Sequence, residues 1–139
     1  MRLDNAIGDS TNSYSAVSSG FRVSVVPRYD PRNSNEENNV FTFSYLVTIE
    51  NIGSESAQLV SRDWLVFSNG IKITEVSGPG VIGMQPTIKP REIFRYESST
   101  IIRDPVGSMS GHYTFVKSDG SKFLVEIPRF KLLCPHLVH

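Results

Sequence analysis

VFTFSYLVTIEN, residues 40–51, decides the fold. Phe41, Phe43, Tyr45, Val47 and Ile49 fall on one side of this run, and Thr42, Ser44, Thr48 and Glu50 fall on the other. A strand sends successive side chains to opposite faces, so alternation of this length marks a strand with one buried face. A helix with the same sequence would scatter its apolar groups around the axis.

Working outward, the pattern recurs over residues 21–25, 58–67, 71–76, 93–99, 112–117 and 122–128. β-Branched and aromatic residues dominate these stretches. A bulge or bend is expected near Arg62 and Asp63, where the third run is interrupted by charge. Ser68-Asn69-Gly70 and Ser118-Asp119-Gly120-Ser121 carry the residues of hairpin turns, and residues 51–55 read as another turn. Residues 30–39 are polar, contain Pro31 and four Asn, and are expected to form a flexible surface excursion. No stretch has helical periodicity long enough for a helix. About seven short strands separated by turns predict an all-β antiparallel sandwich of two sheets.

Composition narrows the function. The 139 residues suit one domain with a real core. The expected division is a disordered tail over 1–19, a sandwich over 20–135 and a short tail over 136–139. Fourteen basic residues balance fourteen acidic ones. Phosphate neutralisation supplies most nucleic-acid affinity, so no nucleic-acid partner is expected, and charge-driven membrane binding is disfavoured for the same reason. A single cysteine, Cys134, excludes an internal disulfide and suits a reducing compartment, so a cytoplasmic location is expected. The N-terminal segment lacks the apolar block of a secretory signal and is poor in Arg for a transit peptide.

Few residues point to chemistry. Gly78-Pro79-Gly80-Val81-Ile82-Gly83 matches the G-x-G-x-x-G spacing of a dinucleotide loop. That motif must open a helix, and Pro86 and Pro90 follow too closely to allow one. The plain reading is a loop crossing a sheet edge; a minor reading is an anion nest aided by Lys72, Lys89 or Arg91. Cys134, His136 and His139 offer soft ligands near the end of the chain, and such a set holds zinc or cobalt when a fourth ligand joins it. Incidental placement at a mobile terminus is the plainer account, and no metal is assigned. His112 follows Ser108 and Ser110, but no nucleophile elbow exists and the acidic residues are scattered. No catalytic residue is assigned. Trp64, beside Arg62 and Asp63, is a core residue by type and a binding anchor wherever it is exposed.

Ser61-Arg62-Asp63-Trp64, then Glu75-Val76-Ser77-Gly78-Pro79-Gly80-Val81-Ile82-Gly83-Met84-Gln85-Pro86, then Gly107-Ser108-Met109-Ser110-Gly111-His112-Tyr113 resemble, in order and spacing, the signatures of the ApaG domain family. The run 41–51 and the ending Ile127-Pro128-Arg129-Phe130-Lys131-Leu132 are similar too. The resemblance spans about residues 21–135. It implies an immunoglobulin-like or fibronectin type III-like sandwich. It also implies a bacterial association with cobalt and magnesium resistance, and, in eukaryotic F-box and polymerase-interacting proteins, a role in protein binding. The glycine loop Gly78, Gly80 and Gly83 is the part of the family for which nucleotide binding has been suggested. The family supplies no catalytic residue.

The functional expectation is therefore a non-catalytic protein–protein interaction module without a cofactor. Arg62, Trp64 and His112 are its candidate contacts, and Gly78, Gly80 and Gly83 form a candidate binding loop. Its protein partner is unknown, and the chain itself is expected to be a monomer or weak homodimer. The alternative is a small-ligand or ion-handling protein that takes a pyrophosphate-containing nucleotide or a divalent cation.

Overall fold

The computed structural model describes residues 12–138. They form nine strands: β1 Tyr14–Ser18, β2 Phe21–Tyr29, β3 Phe41–Asn51, β4 Ala57–Ser68, β5 Ile71–Pro79, β6 Thr87–Ile88, β7 Ile93–Ile102, β8 Val106–Lys117 and β9 Lys122–Leu133. One sheet has the order β1-β2-β3-β7 and the other β5-β4-β8-β9, with β6 also pairing with β4. Every pairing is antiparallel. Among the described residues no helix is long and apolar enough to cross a membrane.

The alternation in β3 does what its pattern requires. Phe41, Phe43, Tyr45, Val47 and Ile49 are buried, and they meet Leu59, Trp64, Tyr113, Phe115 and Phe130 from the opposite sheet. The rings of Phe21 and Phe115 pack at 4.5 Å between centroids, and Trp64 lies edge-on to Tyr113 and Phe130. Removing this apolar surface from water is the main term holding the sheets together. Among the described residues the one buried amide side chain, Asn51, is fully used: Nδ2 donates to the carbonyls of Glu55 and Ile88, and Oδ1 accepts from the Gly53 N–H.

The structure has nine strands where about seven were expected, the additions being β1 and the two-residue β6, and the excursion over 30–39 also departs from the sequence reading. The tail expected over 1–19 contributes β1, whose five residues all pair with β2. Its Tyr14 ring lies 6.3 Å from Phe130, and the Ser18 hydroxyl accepts from the Glu126 N–H. The polar composition of the segment suggests a disordered tail, but backbone pairing with β2 supplies the order that composition does not. Residues 1–11 of that expected tail lie outside the described residues. The excursion over 30–39 is tied down rather than loose. It makes two short 3-10 turns, Pro31–Asn33 and Glu36–Asn38, and Ser34 Oγ both accepts from the Thr42 N–H and donates to the Asp30 carbonyl.

The interruption expected near Arg62 and Asp63 is present two residues earlier. Leu59 pairs with Phe115 and Ser61 with Thr114, so Val60 is an extra residue in β4. A bulge shifts every following side chain to the other face. Before it Ala57 and Leu59 are buried; after it Trp64 and Val66 are, and Arg62 takes the same inward phase.

Because Phe115 is fully enclosed and Leu124 is exposed, Phe115→Ala is expected to lower stability by about 3–5 kcal/mol and Leu124→Ala by no more than about 0.5 kcal/mol. Urea denaturation of the two variants beside the wild type checks both values.

Candidate functional site

The inward turn of Arg62 builds the first site. Its Nη1 donates to the carbonyls of Pro79 at 3.0 Å and Gly80 at 2.8 Å. Gly78 sits directly across from Arg62 in the β4–β5 pairing, and a Cβ there would touch the guanidinium at 3.4 Å. Arg62 thus clamps the glycine loop to the sheet edge through Nη1.

The loop itself seals the edge of β4 between β5 and β6. The carbonyl of the extra residue Val60 accepts from the Gly80 N–H and from Gln85 Nε2. Val81 and Met84 exchange both backbone hydrogen bonds around Ile82 and Gly83, which have φ of 43° and 77°. Two consecutive positive φ values make this a tight hairpin turn of the mirror-image type I kind. Gly80 also has positive φ, and a Cβ there would lie 2.1 Å from the Met84 carbonyl oxygen. So Gly78, Gly80 and Gly83 serve a clamp, a close approach and a turn. The N–H groups of Gly80, Val81 and Met84 are all directed to internal carbonyls, so they do not converge on a phosphate, and the loop runs into β6 rather than a helix.

Between β5 and β7 the sandwich stays open. A cavity of about 160 Å³ lies there, with Tyr45, Trp64 and Tyr96 below and Val76, Ile82 and Thr100 at its sides. Trp64 is only 4% exposed. It is the core residue its type suggests, turned inward by the bulge to form a cavity wall, and not an exposed contact. At the back of this region the hydroxyls of Tyr96 and Tyr113, one from each sheet, are hydrogen-bonded to each other. Burial holds both phenols above their ordinary range.

His112 lies on the outer face of the second sheet. Its Nε2 is 3.2 Å from Asp63 Oδ2, and Asp63 Oδ1 accepts from the Ser77 hydroxyl. The serine is bonded to the carboxylate and not to the imidazole, so this row lacks the nucleophile–base contact of a hydrolytic triad. Neither Ser108 nor Ser110 supplies that contact: Ser108 Oγ accepts from Arg129.

A third cluster was half visible in the sequence. Cys134 directly follows β9, and the N–H groups of Leu137 and Val138 return to its carbonyl. That turn lays His136 edge-on to the Tyr29 ring. Glu36, brought in by the short turn after Asn35, meets both. His136 Nε2 is 2.8 Å from Glu36 Oε1, and Cys134 Sγ is 3.8 Å from Glu36 Oε2 and 3.7 Å from His136 Nδ1. Tyr29 donates to Glu36 Oε2 at 2.6 Å. The hydrogen bonds from Tyr29 and then His136 hold the Glu36 carboxyl below its usual range, and burial pushes the Cys134 thiol up. Burial, followed by the bond to Glu36, raises Tyr29 to about 12. The terminus was read as incidental; Glu36, nearly a hundred residues away in sequence, is what gathers it. His139 lies outside the described residues.

Two outcomes follow. Gly80→Ala is expected to destabilise by about 2 kcal/mol or more through the clash with Met84, whereas Ile82→Asn is expected to stabilise by about 1 kcal/mol, because Asn tolerates the left-handed region that a β-branched residue resists. Thermal and urea unfolding read both. Tyr29 is also a pH probe. Its folded value lies above its ordinary 10, so its contribution is complete below about pH 10 and fades as pH rises toward about 12. Urea midpoints across that range should fall less steeply in Tyr29→Phe than in the wild type.

Comparisons with known proteins agree with the fold. The family profile described as the ApaG domain matches residues 31–117. Protein ApaG of Acidithiobacillus ferrooxidans is 42% identical over 118 residues, covering 85% of this chain and 93% of that protein. Protein ApaG of Escherichia coli is 41% identical over 111 residues, covering 80% and 89%. The crystal structure of a Bordetella pertussis protein assigned the name ApaA superposes with a TM-score of 0.80 at 40% identity, over 83% of this chain and 94% of that one. With the signature segments around Trp64, the glycine loop and His112 placed on one sheet and its edge, the chain is a member of the ApaG domain family.

Proposed function

We propose that this protein is a non-catalytic recognition module that binds an extended, apolar segment of a partner protein along β5. The observation that carries this reading is the open cavity between β5 and β7 beside a strand edge that, among the described residues, pairs with nothing. A free edge presents backbone donors and acceptors that another strand satisfies, and side-chain pockets alongside it supply selectivity. β5 is solvent-exposed at almost every position, with Ile71 at 68% and Ile73 and Val76 also exposed. Its Lys72 and Glu75 neutralise each other, so the edge favours an uncharged segment. The cavity is of the size that takes a benzene-like group, which suits one large apolar side chain of the incoming strand.

Ile82 strengthens the reading. It is an exposed β-branched residue held at positive φ on the rim of this cavity. Such strain costs stability and is characteristic of functional positions. The nucleotide alternative has less support, since the N–H groups of Gly80, Val81 and Met84 in this loop are committed internally.

A displayed library of extended peptides, selected on the purified chain, tests the proposal. Enriched peptides are expected to carry a large apolar residue and to protect β5 amides from hydrogen exchange. Val76→Lys, at the cavity side, is expected to weaken them at least about tenfold, or ~1.4 kcal/mol. Binding without protection in β5, or with unchanged affinity in Val76→Lys, would overturn the assignment. A concentration-dependent dimer that Val76→Lys abolishes would assign the edge to a second copy of the chain instead.

A further inference from the structure

The cluster of Glu36, Cys134 and His136 shares no residue with the β5 edge. It joins three donor types that metals of the zinc class accept together: thiolate sulfur, imidazole nitrogen and carboxylate oxygen. Their ligand atoms all lie within 4.8 Å of one another. We propose that these three residues form a binding site for a zinc-like divalent ion, with Tyr29 as the group that orients its carboxylate.

The spacing can be compared with what such an ion needs. Bonds of about 2.3 Å to sulfur and about 2.0–2.2 Å to nitrogen and oxygen, at tetrahedral angles, put ligand atoms roughly 3.3–3.7 Å apart. Cys134 Sγ is 3.9 Å from His136 Nε2, close to that spacing, and 3.8 Å from Glu36 Oε2, the neighbour of the oxygen turned to His136. Only the 2.8 Å contact between His136 Nε2 and Glu36 Oε1 must open, and both side chains belong to turns rather than strands. An ion entering there replaces that hydrogen bond: the proton on His136 Nε2 moves by way of solvent to Nδ1, or is lost to solvent where Nδ1 already carries one, and the thiol proton leaves to solvent as sulfur binds.

Three features separate this cluster from a chance meeting of polar side chains. Cys134 is 0% exposed, so its sulfur is presented to the other two groups from inside the protein. The Glu36 carboxylate has divided duties: Oε2 is held by the Tyr29 hydroxyl at 2.6 Å, and Oε1 is turned to His136. Hydroxyl support of a ligating carboxylate is the usual outer-sphere arrangement around a bound metal. Finally, Tyr29 and His136 also line a cavity of about 470 Å³, with Arg28 and Lys131 at its border. Three protein ligands leave a fourth position, which water takes in an open site.

The full chain, stripped with a chelator, is titrated with Zn²⁺ against a chromophoric competitor, and separately with Co²⁺ as a spectroscopic probe. One ion per chain is expected, and the Co²⁺ form should show thiolate-to-metal charge-transfer absorption together with the visible bands of a tetrahedral ion. Cys134→Ser should lose the charge-transfer band. Tyr29→Phe, which keeps all three ligands, should bind Zn²⁺ about ten- to a hundredfold more weakly. Zn²⁺ should raise the Tm of the wild type and not that of Cys134→Ser. Uptake with equal affinity in Glu36→Ala, whose side chain lies on a surface turn, would overturn the site even if Cys134→Ser failed to fold. A wild type that takes up no Zn²⁺, or a Co²⁺ spectrum without sulfur character, would do the same.

Discussion

β4 holds one residue, Val60, that β8 has no partner for, and the shape of this protein's edge follows from that insertion. Without it, the inward phase set by Ala57 and Leu59 would continue through Ser61, Asp63 and Leu65, and Trp64 would face solvent. With it, Trp64 enters the core and Arg62 is turned inward. A guanidinium cannot be left there without hydrogen bonds. The carbonyls of Pro79 and Gly80 supply them, and Gly78 provides the room. The freed Val60 carbonyl is taken by Gly80 and Gln85 in turn. Bulge, arginine and glycine loop are therefore one device, in which each part satisfies a polar group exposed by another.

That device also leaves the sandwich unequal at its two sides. β9 packs against β1 and β2, closing one side. On the other, β5 projects beyond the cover of β7 and is exposed on both faces. Large residues between the sheets prop this side apart: the phenols of Tyr45, Tyr96 and Tyr113 gather around Arg62 and Trp64, and the cavity sits among them. The side where recognition is proposed is thus walled by core aromatic residues, with β5 left exposed beyond them. Local stability is low where surface must remain available.

At the Glu36 cluster the fold brings sequence extremes together. The Asn-rich run before β3 makes a short turn because Asn35 caps it through its side chain and Asn39 takes the left-handed conformation. Both features depend on residues that composition alone marks as loose. The final turn at Cys134 is held by backbone bonds to its own carbonyl and to Pro105. Each turn is local, but their meeting over Tyr29 depends on β2, β3 and β9 being assembled first.

The two-residue alternation of 40–51, and of its counterparts, determined the fold class, because period-2 patterning leaves one arrangement that buries an apolar face. The hairpins at Asn69-Gly70 and Gly120 were legible for a similarly local reason: those residues tolerate positive φ. β1 was not legible, since its five residues sit in a Ser-rich segment and the strand is stabilised by its neighbour β2. The position of the bulge was missed by two residues because register is a property of a pair of strands. The glycine string was recognisable, but its purpose depended on what followed it in space: a clamp from β4 and a turn into β6. Trp64, Arg62 and His112 were singled out by type, and only pairing across strands assigned them to the wall of a cavity, a clamp on the glycine loop and an exposed contact with Asp63. Cys134 and His136 carried a chemical signal without a partner. Glu36 lies about a hundred residues away, and nothing local in a sequence encodes a contact between chain segments that only the packing of two sheets brings within 3–4 Å of each other.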